Sequence, residues 1–231
     1  NVLGSNVANV LLIVGVAATI RGIRTKTRWL ELGYMLLLSS LACVPFLAGA
    51  RLDRWLSGLM LAVLILFLYQ LLARERVAGK LLREDTRPKT SATGWLVNIA
   101  MLGAGFLMLM YGADWLVGGA SQVASDMGMS KTMIGATVVA IGTSMPELAT
   151  SAVAAMRGQS EICIGNIIGS NIFNIGAVLG GAGILQPFAF DADPLMLVTI
   201  GVATASALIL AALLRKSGGV SRSVGILFLL T

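Results

Sequence analysis

Apolar residues run along this chain in long blocks separated by short clusters of Gly, Pro and charge. Within the blocks, polar positions do not recur at the spacing that would give a helix one wet face. Residues 31–50 (ELGYMLLLSSLACVPFLAGA), 55–73 (WLSGLMLAVLILFLYQLLA) and 194–214 (PLMLVTIGVATASALILAALL) are each long enough to cross about 30 Å of hydrocarbon. The pattern predicts eight helical segments, at roughly 1–20, 30–50, 54–73, 95–120, 131–156, 162–185, 194–214 and 223–231, the first and last incomplete. The expected class is an all-α polytopic membrane protein.

Composition agrees with the pattern. The chain is 57% hydrophobic and 12% charged, with a mean hydropathy of +0.87. Cys43 and Cys163 both fall in apolar segments and read as small buried hydrophobes rather than a disulfide or metal pair. Histidine is absent, which removes imidazole metal sites and His-based catalysis. The net charge of +6 resolves into position. With alternating crossings, residues 21–29, 74–94, 157–161 and 215–222 share one side and hold fourteen of the 17 basic residues. Arg51, Arg54 and Lys131 lie opposite. The basic side is expected to be cytoplasmic, and no basic face with interleaved aromatics suggests nucleic acid. Asp53, Asp126, Asp191 and Asp193 fall on the outer side, where they read as solvated loop acids, the alternative being acids that gather cations.

The chain also repeats itself. NVLGSNVAN at 1–9 returns as NIIGSNIFN at 166–174, and residues 1–17 match 166–182 at seven positions: Asn1/Asn166, Gly4/Gly169, Ser5/Ser170, Asn6/Asn171, Asn9/Asn174, Gly15/Gly180 and Ala17/Ala182. The second copy starts near Trp95, so about 70 residues of the first are expected upstream of Asn1. Five spans per copy is an odd number, which inverts one copy relative to the other and places a substrate site near the midplane where they meet. The expected organisation is residues 1–73 as the C-terminal part of the first repeat, 74–94 as a cytoplasmic linker, and 95–231 as the second repeat.

Polar chemistry concentrates in two stretches. Glu147 lies mid-segment in GATVVAIGTSMPELATSAVAAMRG, where an ionisable group must face a cavity, a partner or a cation. Pro146 offers no N–H to the carbonyl of Gly142, so the helix should bend and its carbonyls at 140–143 become available. Thr143 is four residues before Glu147 on the same predicted face, and Ala140 three further back. In the next segment Asn166, Ser170 and Asn174 form a stripe at i, i+4 and i+8, and Gly165 and Gly169 would let a neighbouring backbone approach. For Asn166 and Asn171, hydrogen bonding between packed helices is the competing role. All these donors are hard oxygens, which argues against zinc, copper and iron and suits Ca²⁺ or Na⁺. One Glu cannot neutralise a divalent ion, and repeat symmetry puts its counterpart about 18 residues before Asn1, so residues 1–231 alone are not expected to transport. Asp114, beside Trp115, is expected to be structural or at an entrance.

At these residues the chain resembles the cation/Ca²⁺ exchanger superfamily, which includes the sodium/calcium exchangers. GTSMPELATS (142–151) followed by GNIIGSNIFN (165–174) resembles the family's second alpha repeat, and NVLGSNVAN the tail of its first. The resemblance implies ten helices, alternating access, and Ca²⁺ moved against Na⁺ or H⁺, with no cofactor and no obligatory protein partner. It implies Glu147 as the central cation ligand, Thr143 and the Ala140 carbonyl at flanking ions, Ser170 and Asn174 completing the site, and Ser5 and Asn9 contributing from the first repeat. Family members often carry Asp at one of the two positions held here by Asn9 and Asn174, so this site is one negative charge short of that pattern. The short linker implies the compact prokaryotic type, in a bacterial inner membrane. Of other classes, an intramembrane hydrolase lacks its histidine, its aspartyl pair and a buried lysine. A cation channel built from the same oxygens remains an alternative.

Overall fold

The computed structural model describes residues 1–26, 29–47, 51–81, 92–189 and 194–231. In chain order these form α1 (Val2–Ile20), β1 (Ile23–Arg24), α2 (Trp29–Leu47), β2 (Arg51–Leu52), α3 (Arg54–Leu81), α4 (Ala92–Asp126), α5 (Lys131–Thr143), α6 (Met145–Met156), α7 (Ser160–Leu185), β3 (Phe188–Ala189), α8 (Pro194–Ser217), β4 (Gly219–Val220) and α9 (Arg222–Leu230). Among the described residues six helices are long and apolar enough to cross a membrane, or seven with α5 and α6 counted as one span bent by 43°.

Local chemistry explains several boundaries. Ser130 caps α5 by accepting from the Met133 N–H, and Ser221 caps α9 by accepting from that of Val224. Pro194 opens α8. Gly158 and Gly218 follow α6 and α8 with φ of 71° and 62°, a left-handed stop that other residues adopt at a cost. The segment expected at 131–156 keeps its bounds as one bent span, with a break at Ser144 between α5 and α6. Part of the stretch 74–94 is helical, since α3 continues to Leu81 and α4 begins at Ala92; α3 runs past its apolar core because Arg, Glu and Lys are good helix formers. Residues 82–91, and Asp191 and Asp193, lie outside the described residues.

Packing follows an exchange symmetry. α1 and α7 form the centre, with Val10, Ile13, Val14 and Ala17 of one and Ile164, Ile167 and Ile172 of the other fully buried. Gly15 of α1 lies against Gly225 of α9, and its repeat partner Gly180 lies against Ser57 and Met60 of α3. Such close backbone approach supplies the van der Waals contact that holds helices together where lipid removes the hydrophobic advantage. β1 pairs antiparallel with β4 (Ile23↔Val220), and β2 with β3 (Arg51↔Ala189). The strand after α1 thus pairs with the strand before α9, and the strand after α7 with the strand before α3. Because α2 runs from β1 to β2, the two pairs sit at opposite ends of the bundle, as inverted copies require.

Three of the four basic stretches meet at the β1/β4 end. The Arg24 N–H donates to Ser160 Oγ, that of Lys26 to Glu161 Oε1 at 2.9 Å, and Arg222 to the Ile20 carbonyl at 3.1 Å. α4 is exposed along nearly its whole apolar length and touches α5 and α6, with Val117 packed on Gly142.

Candidate functional site

The break at Ser144 organises the site. Ser144 has φ −92° and ψ 2°, and α6 restarts with Pro146 in its first turn and Glu147 directly after. Thr143 and Glu147 therefore do not share one face of a continuous helix, as the sequence spacing predicted. Thr143 ends α5, and Glu147 begins α6 across a 43° bend. The negative end of one helix dipole and the positive end of the next meet at this point.

On the α5 side, four oxygens from both repeats converge. Ser5 Oγ lies 3.1 Å from Thr143 Oγ1 and 3.4 Å from the Ala140 carbonyl, which also accepts from Thr143 at 3.2 Å. Asn1 Oδ1 accepts from Ser5 at 3.3 Å and from Thr143 at 3.2 Å. Gly4 permits this approach, since a Cβ there would stand 2.6 Å from the Ala136 carbonyl oxygen. A cavity of about 560 Å³, lined by Asn1, Gly4, Lys131, Thr132, Gly135 and Ala136 among others, reaches the cluster through Asn1.

On the α6 side, Glu147 is half-buried and its Oε2 is buried without a hydrogen-bond partner. Its backbone carbonyl accepts from Asn166, whose amide also donates to Ser151 Oγ at 3.0 Å. α6 packs against the Asn9–Ile13 turn of α1. There Asn9 is fully buried and its Oδ1 likewise has no partner. Thr19 and Ser121 hydroxyls are also buried and unpartnered.

Between α1 and α7 stand hydrogen bonds of the kind weighed for Asn171 from the sequence, in a pairing that the sequence reading did not foresee. Asn9 Nδ2 donates to Asn171 Oδ1 at 2.9 Å, and Asn174 Nδ2 donates to Asn6 Oδ1 at 2.9 Å. Under the 165-residue offset, 9 becomes 174 and 171 becomes 6, so the two bonds are images of one another. Each fixes an amide so that Nδ2 is engaged and Oδ1 is turned away from the partner. The signal was present in the sequence as the matched pair Asn6/Asn171. A second unforeseen feature is three π-helical turns, Asn9–Ile13, Gly135–Val139 and Asn174–Leu179, two of which start at the matched asparagines. Such turns often accompany functional sites.

The structure brings together Ser5, Thr143 and Ala140 in one cluster, and Asn9 and Asn174 in the amide pairs. Ser170 is half-buried, and its hydroxyl makes no hydrogen bond among the described residues. Gly169 was expected to admit a close neighbour, but a Cβ there would meet nothing within 4 Å. Asp114 is exposed on α4, outside these hydrogen bonds. Among the described residues no three His, Cys, Asp or Glu side chains cluster, so the acceptors available to an ion are one carboxylate with amide, hydroxyl and carbonyl oxygens. Oxygens of this kind suit Ca²⁺ and Na⁺ and not softer metals.

The model of the family described as "Sodium/calcium exchanger protein" matches residues 1–73 and 97–231. CaxA of Alkalimonas amylolytica, named as a candidate antiporter, is 39% identical over 83% of this chain and 61% of its own length. The inner membrane protein YrbG of Escherichia coli K12 is 35% identical over 97% of this chain and 71% of its own. The sodium/calcium exchanger MaX1 of Methanosarcina acetivorans is 46% identical over 43% of this chain and 28% of its own length. The fold matches that of the sodium-calcium exchanger NCX_Mj, soaked with 2.5 mM Na⁺ and 0.1 mM Ca²⁺, with TM-score 0.75 and 27% identity, over 100% of this chain and 72% of that one. The chain thus spans from about three-fifths to three-quarters of the longer relatives that it matches along most of its length.

Proposed function

The chain belongs to the sodium/calcium exchanger protein family, and from that premise we propose that it exchanges Ca²⁺ for Na⁺ across a bacterial plasma membrane by alternating access. The observation that carries this reading is the pair of buried acceptors without donors, Glu147 Oε2 and Asn9 Oδ1, at the helix break and the π turn. A buried acceptor left unmet costs about 1–3 kcal/mol, and more if charged, and a bound cation removes that cost. Glu147 is the central ligand. Thr143 and the Ala140 carbonyl, now joined by hydroxyl hydrogen bonds to Ser5, open to hold a flanking ion. Asn9 and Asn174 offer amide oxygens, and Ser170 completes the set. The unengaged hydroxyl of Ser170 supports that role.

In this reading residues 1–73 belong to the first repeat and 95–231 to the second, joined by the linker 74–94. Neutralising Ca²⁺ takes a second negative charge beyond that of Glu147. The basic β1/β4 end faces the cytoplasm. The cavity lined by Lys131 and Asn1 is then the outer access path. A Ca²⁺/H⁺ exchanger is the second reading, favoured by the neutral amides at both Asn9 and Asn174.

The test is Ca²⁺ uptake by the full-length gene product in proteoliposomes, under an outward Na⁺ gradient and, separately, a matched pH gradient. Na⁺-driven uptake that Glu147→Gln abolishes is expected. Uptake driven only by the pH gradient establishes the second reading, and gradient-independent flux a channel.

A further inference from the structure

At the β1/β4 end of the bundle, away from the ion-site residues, a groove of about 910 Å³ opens between α8 and α9. One wall is apolar. Ile209, Ala212 and Leu213 stand at i, i+3 and i+4 on one face of α8, and Val224 of α9 joins them. Ile209 is 48% exposed, so this wall is uncovered among the described residues. Lys216 continues the same α8 face one turn nearer the helix end. Arg24 of β1 and Arg222 at the start of α9 complete a rim of three cations.

None of the three cations makes an ion pair among the described residues. Arg222 gives one hydrogen bond to the Ile20 carbonyl, 3.1 Å away, which holds the guanidinium at the rim and leaves other N–H groups to donate. The N-terminal turn of α9 lines the same space and adds the positive end of its dipole. Three positive side chains that line one groove with no carboxylate among its lining residues repel one another, and an anion among them reverses that repulsion. A small soluble anion would leave the apolar wall bare. A ligand that satisfies both parts has an anionic head and an apolar tail, and it lies in register with the helices, head at their ends and tail along their sides.

We propose that this groove binds an anionic phospholipid, its phosphate among Arg24, Lys216 and Arg222 and one acyl chain along Ile209, Ala212 and Leu213. Basic pockets between transmembrane helices are recognised sites for such headgroups. The site would make the transporter sensitive to the charge of its lipid. It is independent of which ions are exchanged, because none of its residues belongs to the ion site.

The experiment is native mass spectrometry of the detergent-purified full-length protein titrated with phosphatidylglycerol, with phosphatidylcholine as the neutral comparison. Each interfacial Lys or Arg contributes roughly a factor of five to anionic-lipid affinity, so the triple substitution Arg24→Gln, Lys216→Gln, Arg222→Gln should weaken binding by about a hundredfold. The pair Arg51→Gln, Arg54→Gln, remote from the groove, should leave it within about twofold of the unmodified protein. The charge-preserving set Arg24→Lys, Lys216→Arg, Arg222→Lys should retain most of the affinity, which separates lost charge from misfolding. Equal retention of phosphatidylglycerol by the triple variant and the unmodified protein overturns the proposal. So does full competition by inorganic phosphate, which would identify a soluble anion instead.

Discussion

Replacing Asn171 by Leu keeps the side chain's bulk and removes the oxygen that receives Asn9 Nδ2. Asn9 is fully buried, so no water can take the vacated place, and its amide either loses its hydrogen bond or rotates to seek another. An unmet buried donor costs about 1–3 kcal/mol. Rotation instead moves Oδ1, the atom proposed to meet the cation. Either route draws on ion affinity, and a loss of about 1.4–2.8 kcal/mol raises half-saturating Ca²⁺ roughly 10- to 100-fold. Asn171→Asp retains an acceptor of the same shape for Asn9 Nδ2 and adds a negative charge that attracts Ca²⁺, so half-saturation should rise by no more than about threefold. The image substitution Asn6→Leu acts on Asn174, which is half-buried and can recruit water, so its effect should be smaller, about three- to tenfold. The assay is the Ca²⁺ dependence of uptake into proteoliposomes, with thermal unfolding measured on the same preparations. The reasoning fails if Leu and Asp at 171 raise half-saturation equally, or if Leu lowers only the melting temperature.

Three further outcomes are expected. Gly4→Ala forces a Cβ to 2.6 Å from a backbone oxygen of α5 and should destabilise by about 1–3 kcal/mol, whereas its repeat partner Gly169→Ala meets open space and should stabilise by up to ~1 kcal/mol; thermal unfolding reads both. Pro146→Ala alters the first turn of α6, where proline costs the helix little, so it should leave the 43° bend in place and shift stability by no more than ~1 kcal/mol; thermal unfolding reads it. Lys131→Gln removes a positive charge from the cavity wall and should lower half-saturating Ca²⁺ about two- to fourfold at low salt, an effect that 1 M salt erases.

Much of the fold is legible in the sequence because a membrane demands uninterrupted apolar runs, and the segment at 194–214 reads as a span without reference to any partner. Helix ends are less legible: α3 continues through a charged stretch that helix propensity tolerates and hydropathy penalises. The inversion follows from counting spans between the two GSN phrases. Thr143 and Ala140 could be grouped from their spacing before Glu147, and Ser5 joined to them only through the family resemblance, yet the sequence does not say that α5 stops at Thr143. Pro146 signals a bend, whereas Val117, which packs against Gly142 beside it, comes from a distant helix that no local signal names. The amide pairs are hidden for another reason. Asn6 and Asn171 differ in no local way from Asn9 and Asn174, and only the packing of α1 on α7 separates those that accept from those that donate.

The π turns at Asn9–Ile13 and Asn174–Leu179 also share a register. Each is an α-helix that has taken in one residue too many, and the two begin 165 positions apart, in step with every matched residue around them. Two separate insertions landing in the same register would be a coincidence. One insertion inherited by both halves needs none. The extra residue is therefore a property of the repeated phrase itself, carried wherever that phrase stands in the two halves.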